Sequence, residues 1–141
     1  MDAMNDPASM GPFFGVVLVG KSFSITSDAF TRVDQLRWVL DVRQTICIDY
    51  QQLKEVCVFL IRPGAIADNV ALGVYVSAHG SEFEYRGAVG NMNPSVSLPL
   101  QWPTGNAGDL PVQLGISIEP IETLAGAVLR QEKELMRDWP T

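Results

Sequence analysis

The apolar positions of this chain fall into short runs closed off by Gly, Pro and Asn, and most of the runs follow the two-residue period of a strand. Phe13 to Val19 is almost continuously apolar or β-branched between Gly11-Pro12 and Gly20, which predicts a strand buried on both faces. Trp38-Val39-Leu40 and Ile46-Cys47-Ile48 are shorter strand-like pieces. Val56 to Ile61 is a second continuous run, predicted as a central strand and stopped by Pro63-Gly64, a turn pair in which Pro fixes φ and Gly permits positive φ. Val70 to Ala78, Glu82 to Gly90, Ser95 to Leu100 and Val112 to Glu119 follow. In the last, Val112, Leu114, Ile116 and Ile118 face one way and Gln113, Gly115, Ser117 and Glu119 the other, so one face is core and one is wet. The same logic sets Phe83, Tyr85 and Val89 on the core side of their strand, against Glu82, Glu84 and Arg86.

After Pro120 the period changes. Ile121, Leu124, Ala125, Val128, Leu135 and Met136 recur at helical spacing, with Glu122, Arg130, Gln131, Lys133 and Glu134 on the other side, which predicts one amphipathic helix over 121–137. Pro120 suits a helix start because its missing N–H would be unpaired there. About seven strands joined by turns, without a helix after each, argue for antiparallel rather than parallel pairing. The expected fold is therefore mainly β: an antiparallel β-sandwich followed by the terminal helix, one domain over 12–141 behind a flexible N-terminal extension over 1–11.

Composition narrows what such a domain can bind. The 141 residues are 47% hydrophobic and 18% charged, a globular balance sufficient for one core. Sixteen acidic against ten basic residues give a net charge of -6, and no Lys/Arg cluster is present, so nucleic acid is not an expected partner. Nothing in the chain approaches the length of a membrane-spanning apolar run or has the layout of a secretory signal, so no membrane partner is expected either. Cys47 and Cys57 sit inside apolar runs as small hydrophobes, which favours a reducing compartment; a bridge between neighbouring strands stays open, because spacing cannot fix the Cα separation.

Candidate chemistry is sparse. Gly87-Ala88-Val89-Gly90-Asn91 has the glycines of a phosphate loop, but no Gly-Lys-Ser/Thr follows and Asn93-Pro94-Ser95 opens a strand instead of a helix. Asn91-Met92-Asn93-Pro94 reads as a hairpin turn. The single histidine, His79, is expected in an exposed loop, without an adjacent nucleophile and orienting carboxylate. One His and two core-facing Cys are too few for zinc, and the carboxylates are scattered, so neither cofactor nor metal nor enzymatic activity is expected. Trp102 has two readings, an anchor for a partner or a ring folded back over the end of the sandwich. The helix stripe also has two, packing on its own sandwich or forming a dimer contact.

Gly73-Val74-Tyr75-Val76-Ser77, Gly87 with Val89, Asn91 and Pro94-Ser95, Gln113-Leu114-Gly115-Ile116-Ser117-Ile118-Glu119, and earlier Phe14-Gly15 and Val58-Phe59, occur in an order and spacing that resembles the Hikeshi family. The likeness runs from Phe14 to Leu124-Ala125 and is strongest in the middle of the chain. It implies a jelly-roll-like β-sandwich that binds the ATP form of the heat-shock 70-kDa chaperone. Such a protein carries the chaperone through the nuclear pore in heat stress by contacts with Phe-Gly nucleoporins, shuttling between cytoplasm and nucleus. The family has a longer loop before its Gly-Ile-Ser strand, with an exposed Phe-Gly; here the shorter Trp102 to Asp109 segment stands in that place. The family also has a helical C-terminal region for dimerisation and chaperone contact; by this resemblance the chain is either a divergent short form or leaves both jobs to the helix from Ile121. The expected partner contacts are therefore Trp102, Thr104 and Asp109, with Ile66 and Asp68 on the Pro63 to Asn69 loop, and a homodimer would use Leu124, Val128, Leu135 and Met136. A generic β-sandwich module for a protein or small ligand, built around Trp102 and Tyr85, is the alternative.

Overall fold

The computed structural model describes residues 6–45, 49–103 and 111–124. Among them are nine strands: β1 (Phe14–Leu18), β2 (Ile25–Thr26), β3 (Thr31–Asp34), β4 (Arg37–Asp41), β5 (Glu55–Leu60), β6 (Val70–Ala78), β7 (Glu84–Val89), β8 (Ser95–Pro99) and β9 (Val112–Pro120). They form two antiparallel sheets, ordered β2-β1-β5-β8 and β3-β4-β9-β6-β7. One short helix, α1 (Val42–Thr45), follows β4. The expected Ile46 to Ile48 piece lies outside the described residues.

The two sheets face each other across one core. Val16, Val56, Val58 and Leu98 point in from the four-stranded sheet, and Trp38, Leu40, Leu72, Val74, Val76, Leu114 and Ile116 from the five-stranded one. Phe13 and Phe14 join the layers, their rings set edge-on to each other and to Trp38. Edge-to-face placement of this kind stabilises beyond the area it buries. β1 is buried on both faces, as its unbroken apolar run requires, because the Phe59 ring covers Gly15 from the outside. β5 lies between β1 and β8, the interior position its apolar run predicts.

The structure departs from the alternation expected of β7. Val89 pairs with Leu72 and Gly87 with Val74, yet Tyr85 pairs with Tyr75, so one residue of β7, Arg86, is extra. Such a bulge moves everything before it to the other face. Tyr85 therefore stands beside Tyr75 outside the sandwich, and Phe83 is 45% exposed instead of core-facing. Arg86 turns toward the four-stranded sheet, where its Nε and Nη2 donate to the Leu100 and Gln101 carbonyls at 2.7 and 2.6 Å.

Two further expectations are corrected, and two strands appear that were not expected. Gly90 to Asn93 does form a tight turn, with reciprocal backbone bonds between its ends, but β7 and β8 belong to different sheets, so it is a crossover rather than a hairpin. β2 and β3 were not anticipated, being two and four residues long and polar. Residues 6–11 are tied to the domain instead of trailing from it. Asp6 makes a two-pronged contact with Arg32 (2.8 and 3.0 Å), and Arg62 donates to the Pro7 carbonyl at 2.8 Å.

At the other end, the Ile121 amide bonds the Asn69 carbonyl and a helical turn occupies 121–124. The rest of the predicted helix lies outside the described residues.

Candidate functional site

The outer face of the five-stranded sheet carries a groove of about 540 Å³. Its floor is glycine and serine because the wet side of β9 reads Gln113, Gly115, Ser117, Glu119. Across the pairing, Gly115 stands opposite Tyr75 on β6 and Val39 on β4, and Ser117 opposite Gly73 and Arg37. The glycines leave room for rings. A β-carbon on Gly115 would lie 3.0 Å from the Phe83 ring, and one on Gly73 would lie 2.9 Å from the Tyr75 ring and 2.8 Å from the Glu119 carboxylate. Val33, on the edge strand β3, closes the far side.

Three polar groups converge there. The Tyr75 hydroxyl donates a hydrogen bond to Oε2 of Glu119. Burial, and next that bond to a carboxylate, push the Tyr75 hydroxyl well above its ordinary pKa; burial and the Glu119 charge raise Tyr85 as well. The guanidinium of Arg37 lies near enough to act against the rise at Tyr75. Its ion pair with Asp34 is 4.0 Å long, with the Arg37 side chain 68% exposed, so the pairing is weak. A carboxylate, a cation and two flat rings in one concavity are equipment for holding a ligand. Among the described residues no group of three His, Cys, Asp or Glu could hold a metal ion, and no helix is long and apolar enough to cross a membrane.

A second cluster surrounds Trp102, at the end of the sandwich where β5 begins and β6 ends. Trp102 is packed against the core, donates from Nε1 to the Leu53 carbonyl at 3.1 Å, and meets the Tyr50 ring edge-on. It takes the folded-back position. His79, expected to be exposed, is half-buried: its Nε2 lies 2.9 Å from the Tyr50 hydroxyl, its ring lies against that of Tyr50, and it holds a positive φ of 53° at the end of β6. Its Nδ1 is buried without a partner among the described residues.

The remaining candidates are dispersed. Ile66 is a core residue. Asp68 is exposed and accepts from Asn91 at 2.7 Å, which also donates to the Ile66 carbonyl, so Asn91 ties the Pro63 to Asn69 loop to the crossover turn. Leu124 is buried on the outer face of the five-stranded sheet, beside Gly73. Thr104, Asp109, Val128, Leu135 and Met136 lie outside the described residues. Cys57 is a free, half-buried thiol. The groove itself was missed at the sequence level, although the glycine and serine positions on the wet side of β9 were its signal. A scan of protein-family models and a search of curated proteins both return no match to this chain.

Proposed function

We propose that this chain is a non-enzymatic binding adaptor of the Hikeshi kind, which takes the ATP form of a heat-shock 70-kDa chaperone as cargo and passes between cytoplasm and nucleus on weak contacts with Phe-Gly nucleoporins. The observation that carries this reading is the convergence of the motifs behind the resemblance. Gly73 to Ser77, Gly87 to Val89 and Gly115 to Ser117 are far apart in the chain but occupy three adjacent strands, β6, β7 and β9. Tyr75, Gly115 and Ser117 of these motifs line the groove, as a binding function would require, while Gly87 and Val89 face the core. Shallow apolar surface with few fixed charges also suits many weak contacts better than one tight one.

The sheet order supports the finer fold reading. With β2-β1-β5-β8 facing β4-β9-β6-β7, the chain crosses between sheets at β2 to β3, β4 to β5, β5 to β6, β7 to β8 and β8 to β9, the winding of a jelly roll with β1 as an inner strand and β3 added at one edge. The test is affinity for the cognate chaperone with ATP and with ADP. Strong preference for the ATP state is expected, and absence of binding in both states overturns the reading.

The groove favours a second reading, a module for a small or peptidic ligand held between Phe83, Tyr75, Arg37 and Glu119. A ligand screen by thermal shift checks it, since a ligand at a hundred times its Kd stabilises by about 2.7 kcal/mol. No shift with any ligand removes it.

A further inference from the structure

Arg37 and Glu119 stand on neighbouring strands of the groove floor, one pleat out of register. Arg37 on β4 is opposite Ser117 on β9, and Glu119 lies two residues further along β9. One strand spacing across and two residues along set their α-carbons roughly 8 Å apart. Each charge is drawn by a different neighbour. Tyr75 donates to Oε2 of Glu119, while Arg37 leans toward Asp34 at 4.0 Å and keeps a 68% exposed side chain. The Glu119 charge is felt at the hydroxyls of both Tyr75 and Tyr85, which fixes a local negative potential at that end of the groove.

A carboxylate and a guanidinium side by side narrow the ligand. A simple anion would be repelled by Glu119 and a simple cation by Arg37, so the best match carries both charges close together. An α-amino acid bears its ammonium and carboxylate on one carbon, whereas the two termini of a peptide are separated by its whole chain. From this geometry we propose that the groove binds a free α-amino acid with a large apolar side chain, its ammonium on Glu119 and its carboxylate on the Arg37 guanidinium. The planar guanidinium fork suits a carboxylate, which it can hold by two parallel bonds. The side chain has a place as well. Gly115 and Ser117 leave the floor low, and Phe83 and Val33, 45% and 55% exposed, supply apolar walls. The groove's 540 Å³ lies within the usual range for small-molecule sites.

The proposal rests on the reading of the groove as a ligand module, and calorimetry on the full-length chain tests it. The probes are L-phenylalanine, N-acetyl-L-phenylalanine, phenethylamine and glycine. The second lacks the ammonium, the third the carboxylate and the fourth the side chain. L-Phenylalanine is expected to bind, and each of the others at least about tenfold more weakly, since each leaves a site group without its partner. Glu119→Gln keeps an acceptor for Tyr75 while removing the charge. It should weaken L-phenylalanine about tenfold and leave N-acetyl-L-phenylalanine unaffected, and Arg37→Gln should do the same with phenethylamine as the unaffected probe. No binding of L-phenylalanine overturns the proposal, as does equal affinity for all four probes or indifference to both substitutions. If L-phenylalanine fails while another ligand of the thermal-shift screen binds, the amino-acid proposal falls and the ligand module stands. Silence from both removes both.

Discussion

The ring of Phe83 lies so close over Gly115 that a β-carbon on that glycine would come within 3.0 Å of it. Phe83 is 45% exposed and precedes β7, so it has room to move aside. Gly73, also on the groove floor, has neighbours without such freedom: Glu119 Oε2 at 2.8 Å, the Tyr75 ring at 2.9 Å and Leu124 at 3.1 Å from the same position. Alanine in a strand regains about 0.5–1 kcal/mol over glycine where it fits. Gly115→Ala is therefore expected to be neutral within about 0.5 kcal/mol, and Gly73→Ala to destabilise by about 1–3 kcal/mol as overpacking does. Urea unfolding of the two variants checks the contrast, and equal losses would contradict it.

Gly87 faces the core, opposite Val74, and Leu98 from the facing sheet fills the space where its side chain would be, 2.5 Å from a β-carbon. Leu98 is buried and has nowhere to retreat. Gly87→Ala is expected to cost about 1–3 kcal/mol from overpacking, and Leu98→Ala about 2–5 kcal/mol from the cavity. The double variant should cost less than the sum, with a coupling of about 0.5–3 kcal/mol, because the new methyl enters the space that Leu98 vacates. Additive losses would mean that the two layers do not meet at this pair.

The carboxyl of Asp6 is held below its ordinary 3.8 by the hydrogen bond from Arg32. A depressed carboxylate contributes stability that is fully present above its unfolded pKa and is lost as pH falls through the folded value. For a surface pair the amount is only about 0.2–1 kcal/mol. Asp6→Asn retains an oxygen for the Ala8 amide while removing the charge, so its stability should fall less than that of the unaltered chain below pH ~4. Urea midpoints from neutral to acid pH measure it; parallel curves would refute the tether.

The sheet interiors were legible because burial dictates pattern. Val112 to Ile118, Val70 to Ala78 and Phe13 to Val19 all announce their strands through apolar spacing. Tyr85 was misplaced because a one-residue bulge leaves no mark on composition yet inverts the face of everything before it. β2 and β3 were missed because short edge strands bury little and carry no period. His79 and Trp102 depend on Tyr50 and Leu53, contacts across the fold that sequence spacing does not encode. The groove shares that origin, since Gly115 and Tyr75 become neighbours only through the β6–β9 register.

Tyr75 and Glu119 give the last prediction, at alkaline pH. The folded hydroxyl titrates above the 10.0 of a free tyrosine, because burial and the Glu119 carboxylate disfavour the phenolate. A group whose folded pKa is raised contributes stability that is complete below the unfolded pKa and is lost as pH rises toward the folded one, since the unfolded chain releases the proton first. Stability should therefore decline above pH ~10, earlier than any loss from arginine titration. Tyr75→Phe removes the titrating group and should flatten that decline, leaving the smaller part due to Tyr85, which is raised by its own burial. At neutral pH the same substitution frees Glu119 from a half-buried bond, an expected loss of about 1.5–3 kcal/mol for a hydrogen bond to a charged acceptor. Unfolding midpoints for the two proteins from pH 8 upward, followed by tyrosinate absorbance, test both halves. An unchanged alkaline slope in Tyr75→Phe would mean that Glu119 does not hold the hydroxyl in its protonated form.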